Sequence, residues 1–154
     1  MVAAELSRIE KKIVIRAPRQ RVWRALTSIE EFSKWFRMES DDRFAPGVRV
    51  RMVSTHESCK GVAFWVDIQE MTPERLFSWR WHPGLPEPGV DYSKEPTTLV
   101  EFRLEDVEGG TMVRVVESGF DRLSLERRAR IYEGNEAGWQ HQMVSLEQYV
   151  RTAA

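Results

Sequence analysis

The stretch VEFRLEDVEGGTMVRVVE, residues 100–117, decides how the chain folds. Val100, Phe102 and Leu104 alternate with Glu101, Arg103 and Glu105, the period-two pattern of a strand with one buried face. Gly109 and Gly110 then supply a hairpin turn. On the returning strand Val113, Val115 and Glu117 share one face, and Met112, Arg114 and Val116 take the other. Strands joined by so short a turn run antiparallel. Glu117 is the odd member of its face, because a carboxylate turned inward loses its hydration and needs hydrogen-bonding partners.

The same alternation recurs toward the N-terminus. Phe77, Trp79 and Trp81 alternate with Leu76, Ser78, Arg80 and His82, after a Thr72-Pro73 turn. Val62, Phe64, Val66 and Ile68 alternate with Ala63, Trp65, Asp67 and Gln69, and Val48, Val50 and Met52 with Arg49 and Arg51. Pro46-Gly47 ahead of them is the central pair of a type II turn. A further strand opens the chain around Arg8 to Arg16, with Ile9, Ile13 and Ile15 on one face. Two short helices follow it. Pro18 suits the first turn of one, with Val22, Ala25 and Leu26 as its apolar stripe. Ser28 and Glu31 form a capping box for the other, where Ile29, Phe32, Trp35 and Phe36 recur at helical spacing.

Beyond residue 117 the period changes. From a cap at Ser124, about two dozen residues place Ile131, Asn135, Gly138, Trp139, Gln142, Leu146 and Tyr149 on one stripe of a long amphipathic helix. The expected architecture is therefore α+β: a curved antiparallel sheet of about six strands around a long C-terminal helix, with two short helices after the first strand. No linker or repeat divides residues 1–154, so one domain is expected. One helix cannot fill the concave side of such a sheet. The remaining volume is either packed with bulky side chains or left as a pocket.

Composition narrows the function. A net charge of -1 supplies no field to attract nucleic acid. No apolar run is long enough for membrane insertion, and no leader pattern opens the chain, so a cytoplasmic location is expected. Cys59 is the single cysteine, and no two histidines stand at metal-ligand spacing, so neither a disulfide nor a metal site is expected.

Four segments resemble the START-like, or SRPBCC, superfamily, and within it the branch homologous to the activator of the heat-shock-protein-90 ATPase. They are IRAPRQRVWRAL at 15–26; Trp35-Phe36 with FAPG at 44–47; ESGF at 117–120; and Gly138-Trp139 with Leu146. The resemblance implies a helix-grip fold. It also implies a range of activities, from ligand carriers and polyketide aromatase/cyclases to ring-hydroxylating oxygenase subunits and co-chaperone domains.

The candidate ligand-binding residues are Trp35, Phe64, Phe77, Trp79, Trp81, Phe102, Glu117, Asn135, Trp139 and Gln142. Phe64, Phe77, Trp79, Trp81 and Phe102 share the inward phase, and a mostly apolar concavity with few polar groups is what a small-molecule site requires. Asn135 and Gln142 lie two helical turns apart beside Trp139, placed to satisfy Glu117 or to line a pocket. His82 is placed at a pocket mouth and His141 at a rim, with His56 in a polar turn. No serine elbow or phosphate loop appears, so no catalytic residue and no cofactor are assigned.

The leading expectation is a non-catalytic binding domain for a hydrophobic or aromatic molecule or lipid. Alternatives are an enzyme of polyketide cyclase or hydrolase type, with Glu117 as acid or base, and a co-chaperone-like module contacting a chaperone. The module would use Trp65 or the proline-rich loop from Pro83 to Pro96. Either a monomer or a homodimer fits.

Overall fold

The computed structural model describes residues 7–153. In chain order the elements are β1 (Arg8–Ile15), α1 (Arg19–Thr27), α2 (Ile29–Phe36), β2 (Met38–Glu39) and β3 (Arg49–Ser54), followed by β4 (Ala63–Thr72), β5 (Leu76–Trp81), β6 (Thr98–Val107), β7 (Gly110–Ser118) and α3 (Leu125–Thr152). The strands form one antiparallel sheet in the order β1-β7-β6-β5-β4-β3-β2. It has seven strands where about six were expected. The additional one is β2, whose two residues are too few to show an alternation.

The path explains the curl. β1 occupies one edge, α1 and α2 carry the chain across to the opposite edge, and the meander returns strand by strand until β7 pairs with β1. Most of the predicted alternation holds: Val50, Met52, Val66, Ile68, Phe77, Trp79, Val100, Phe102, Val113 and Val115 are all buried, and Trp65 is 45% exposed. Val48, however, precedes β3 and is exposed, and Val116 is buried although it lies on the other face of β7. On α3, Ile131, Trp139 and Leu146 are buried against the sheet as expected, joined by Arg128, Met143 and Val150.

Turn chemistry departs from the reading in two places. The Pro46-Gly47 turn forms as predicted, with Val48 N–H bonded to Ala45 O at 3.1 Å and Gly47 at φ 78. The β6–β7 hairpin, however, turns on Glu108-Gly109, because Gly110 already pairs with Val107 as the first residue of β7. Only Gly109, at φ 89, takes the left-handed position of that turn.

The second departure is the capping box on α2, which is half made. Ser28 Oγ accepts from Glu31 N–H at 3.4 Å, but the Glu31 carboxylate turns away to α1 and α3. There it meets Arg21 at 2.8 Å, Arg24 Nε at 2.8 Å and the Tyr149 hydroxyl at 2.8 Å. Two guanidinium groups and a phenol outcompete one backbone N–H. Burial pushes the Glu31 carboxyl upward, but the Tyr149 hydroxyl and the two arginines outweigh it, and the net shift is below the usual range. A carboxyl lowered in the folded state stabilises the fold above its unfolded value and loses that contribution as pH falls through the folded one. Glu31→Gln is expected to cost about 1 kcal/mol at neutral pH. In urea melts across pH, the gap between variant and parent should be full above the ordinary glutamate range and narrow as pH falls below it. A gap that persists in acid would show that packing, not charge, is responsible.

Candidate ligand-binding cleft

The aromatic side chains on the inner face of the sheet meet two different environments. Toward α1 and α2 they are packed solid. Phe32 lies 5.9 Å from Trp79 and 5.1 Å from Phe44, and Phe44 lies 5.1 Å from Phe77 (ring centroids). Trp35 donates its indole N–H to Ala25 O at 2.8 Å, joining α2 to α1. Trp35, Phe77, Trp79 and Phe102 are thus core side chains, and none of them borders open space.

Toward the other end of α3 the packing stops, and a cleft of about 830 Å³ opens between helix and sheet. Phe36, Val62, Phe64, Trp81 and Ile131 are part of its apolar wall, with Leu85 and Pro86 from the loop. Phe64 and Trp81 stand edge to face, 6.1 Å apart. On the helical side Gly134, Ala137 and Gly138 present almost no side chain. A Cβ at Gly134 or Gly138 would meet nothing within 4 Å, so close packing does not require either glycine. Glycine inside a helix costs about 1 kcal/mol relative to alanine. Here the small residues have one visible consequence, which is the open volume.

Glu117 lies immediately behind this wall and is fully buried. Its Oε2 accepts from Trp81 Nε1 at 2.8 Å and from Thr98 Oγ1 at 2.5 Å. Its Oε1 accepts from Trp139 Nε1 at 2.8 Å and from Asn135 Nδ2 at 2.9 Å. Each carboxylate oxygen thus has two partners, which uses its hydrogen-bonding capacity. The donors come from β5, β6 and α3, so one side chain of β7 ties the helix to three strands. Asn135 therefore satisfies Glu117, as the stripe on α3 implied. Gln142 instead donates to Phe36 O at 3.4 Å.

Of the ten predicted site residues, Phe64, Trp81, Asn135 and Gln142 border the cleft. Trp139 and Glu117 stand behind it as a bonded pair, and the other four belong to the core. Three histidines missed as a group also border it: His56, His82 and His141. The rings of His56 and His141 lie 5.8 Å apart. Cys59 borders the same space. These residues lie on separate elements, and no local spacing in the sequence connects them. Among the described residues no group of histidine, cysteine and carboxylate side chains could hold a metal ion.

The Pro83 to Pro96 segment forms one wall and is held against α3. Arg127 donates from Nε to Glu87 Oε2 at 3.0 Å and from Nη1 to Glu95 Oε1 at 2.9 Å. Arg130 Nη2 reaches Glu87 Oε1 at 2.6 Å, and the Tyr92 hydroxyl accepts from the Glu87 backbone N–H at 2.7 Å. The pair Arg127 and Arg130 thus clamps the loop. It also reaches Tyr92, with the Arg127 guanidinium 5.8 Å from that ring.

A curved antiparallel sheet closed around a long C-terminal helix, with a cleft between them, is the helix-grip arrangement of START-like proteins. Within that class the chain belongs to the family described as activator of Hsp90 ATPase homolog 1-like protein, whose model matches residues 16–151. Comparison with curated proteins gives no match. Solved structures agree on the fold. Protein MLL2253 of Mesorhizobium loti is 24% identical, with a TM-score of 0.75, over 96% of this chain and 98% of that one. The Aha1 dimer of Colwellia psychrerythraea is 20% identical, with a TM-score of 0.70, over 99% of this chain and 98% of that one. DynU16, from the dynemicin biosynthetic locus, is 21% identical, with a TM-score of 0.71; the match covers 95% of this chain but 48% of that protein. No helix among the described residues is long and apolar enough to cross a membrane.

Proposed function

We propose that this protein binds a small hydrophobic molecule in the cleft between α3 and the sheet, and does no chemistry on it. The observation that carries the reading is the open volume itself. At about 830 Å³ it is in the range of small-molecule sites, and it lies beside a core that is otherwise packed. Its lining has the composition such sites need: aromatic and aliphatic walls with a few polar groups, here His56, His82, His141, Asn135 and Gln142. Covering about 200 Å² of apolar ligand surface contributes roughly 5 kcal/mol gross, which leaves affinities near micromolar after association costs.

Binding without catalysis is supported by Glu117. The carboxylate best placed by sequence for acid or base work spends its acceptor sites on four protein donors and does not border the cleft. The co-chaperone reading rests on the family's description and on the exposed Trp65. It predicts stimulation of a purified chaperone's ATPase, which ligand binding alone would not produce. A homodimer is proposed from the dimeric Colwellia relative, and sedimentation would settle it.

The test uses Gly134→Leu and Gly138→Leu, which place a side chain in the cleft where nothing now stands. Both variants should fold as stably as the parent or slightly better, since leucine favours a helix by most of 1 kcal/mol over glycine. Both should bind a panel of polycyclic aromatics at least tenfold more weakly, followed by tryptophan emission. Ligand should also slow modification of Cys59, the single thiol, by a thiol reagent. Unchanged affinity in both leucine variants, with no protection of Cys59, would place the ligand elsewhere.

A further inference from the structure

The charges around the cleft do not balance. Among the described residues, Arg37, Glu87 and Arg130 are the acidic and basic ones that border it. Both carboxylate oxygens of Glu87 are taken, one by Arg127 and one by Arg130, so Glu87 and Arg130 neutralise each other. Arg37 is different. It is exposed, and among the described residues its guanidinium has neither a hydrogen bond nor an ion pair.

The backbone holds Arg37 at an unusual position. It caps the C-terminus of α2 in the left-handed conformation, at φ 61 and ψ 67, where glycine or asparagine sits at least cost. The conformation is fixed from both sides. Its N–H reaches Ser33 O, and its carbonyl accepts from Thr55 N–H at 3.0 Å. Strained backbone is retained where the surroundings enforce it, and ligand clamps are among such places.

The bond to Thr55 also brings Arg37 next to His56. The Nδ1 of His56 accepts from the Ser58 backbone N–H at 3.2 Å, so the neutral ring carries its proton on Nε2 and offers a donor there. His141 stands edge to face with His56 and borders the same end of the cleft. One end of an apolar space therefore gathers an unpaired cation and an imidazole donor, and among the described residues no free carboxylate borders the cleft to answer them.

We infer that the ligand is an aromatic molecule bearing a carboxylate, its ring body against Phe64 and Trp81 and its anionic end at Arg37, with His56 as second donor. A planar guanidinium pairs with a carboxylate through two parallel hydrogen bonds, more strongly than with a neutral group. The assignment rests on the binding reading above, and the test separates the two.

1-Pyrenebutyric acid and 1-pyrenebutanol share an aromatic body and differ in the charged end. Each is titrated near pH 7.5 by energy transfer from tryptophan, with the parent protein, Arg37→Gln and Arg37→Gly. The acid should bind the parent at least tenfold more tightly than the alcohol. In both variants that ratio should fall close to one while the alcohol's affinity stays within twofold. Arg37→Gly should also melt at or above the parent temperature, so lost discrimination cannot be ascribed to unfolding. Equal affinity of acid and alcohol in the parent overturns the inference and leaves cleft binding standing, as does a preference that survives both substitutions. Failure of both probes to bind removes the binding reading, and the inference with it.

Discussion

Glu117→Ala is expected to lower the melting temperature by about 15 °C, corresponding to roughly 4 kcal/mol in a domain of this size. The substitution leaves two indole N–H groups, one hydroxyl and one amide facing a void; Thr98 and Trp139 are buried, while Trp81 and Asn135 border the cleft. A buried donor left unpaired costs about 1–3 kcal/mol, with partial recovery as neighbours relax or a water enters. Glu117→Gln keeps the shape but exchanges one acceptor for a donor. Its amide then opposes either Trp81 and Thr98 or Trp139 and Asn135, for a loss of about 2 kcal/mol. Thermal melts by circular dichroism measure both, and the emission of Trp81 and Trp139 should shift as their indoles lose the carboxylate. An alanine variant within 1 kcal/mol of the parent would mean that the network does not hold α3 to the sheet.

Gly110→Ala should be nearly as damaging, for a steric reason. A Cβ there would lie 2.1 Å from the Ile15 carbonyl oxygen, 2.9 Å from its carbonyl carbon and 3.0 Å from Arg16 Cα. All three are backbone atoms at the end of β1, so no side chain can swing away. Relief requires moving β1 off β7, through a ladder that runs from Arg8–Ser118 to Ile15–Thr111. A loss of about 3 kcal/mol, or roughly 10 °C, is expected. Gly109→Ala is the control. It also sits at positive φ but meets nothing within 4 Å, so it should cost only the left-handed penalty of about 1 kcal/mol. Equal melting temperatures for the two would refute the close-approach argument.

The candidate site was legible in part, and the division has a physical cause. Phe77, Trp79, Phe64 and Trp81 all carry the inward phase in the sequence, and all four turn inward. Phase could not separate the two that are packed from the two that border the cleft. That depends on what faces each ring: Phe32, Phe36 and Phe44 around the first pair, and the bare helix surface at Gly134 and Gly138 near the second. Asn135 was readable as a partner for Glu117. The joint approach of Trp81, Trp139 and Thr98 was not, because it depends on strand register and on the rotation of α3 about its axis.

Local periodicity alone determined the inward and outward sides of the longer strands, the stripe of the long helix and the burial of Glu117. These follow from the geometry of a single element, whose neighbours along the chain specify it. The sharing of His56, His82 and His141 between one cleft, the unpaired state of Arg37 and the existence of the open volume were decided only by tertiary structure. Each is a sum over side chains from distant elements, and an unfilled space leaves no mark on any one segment of sequence.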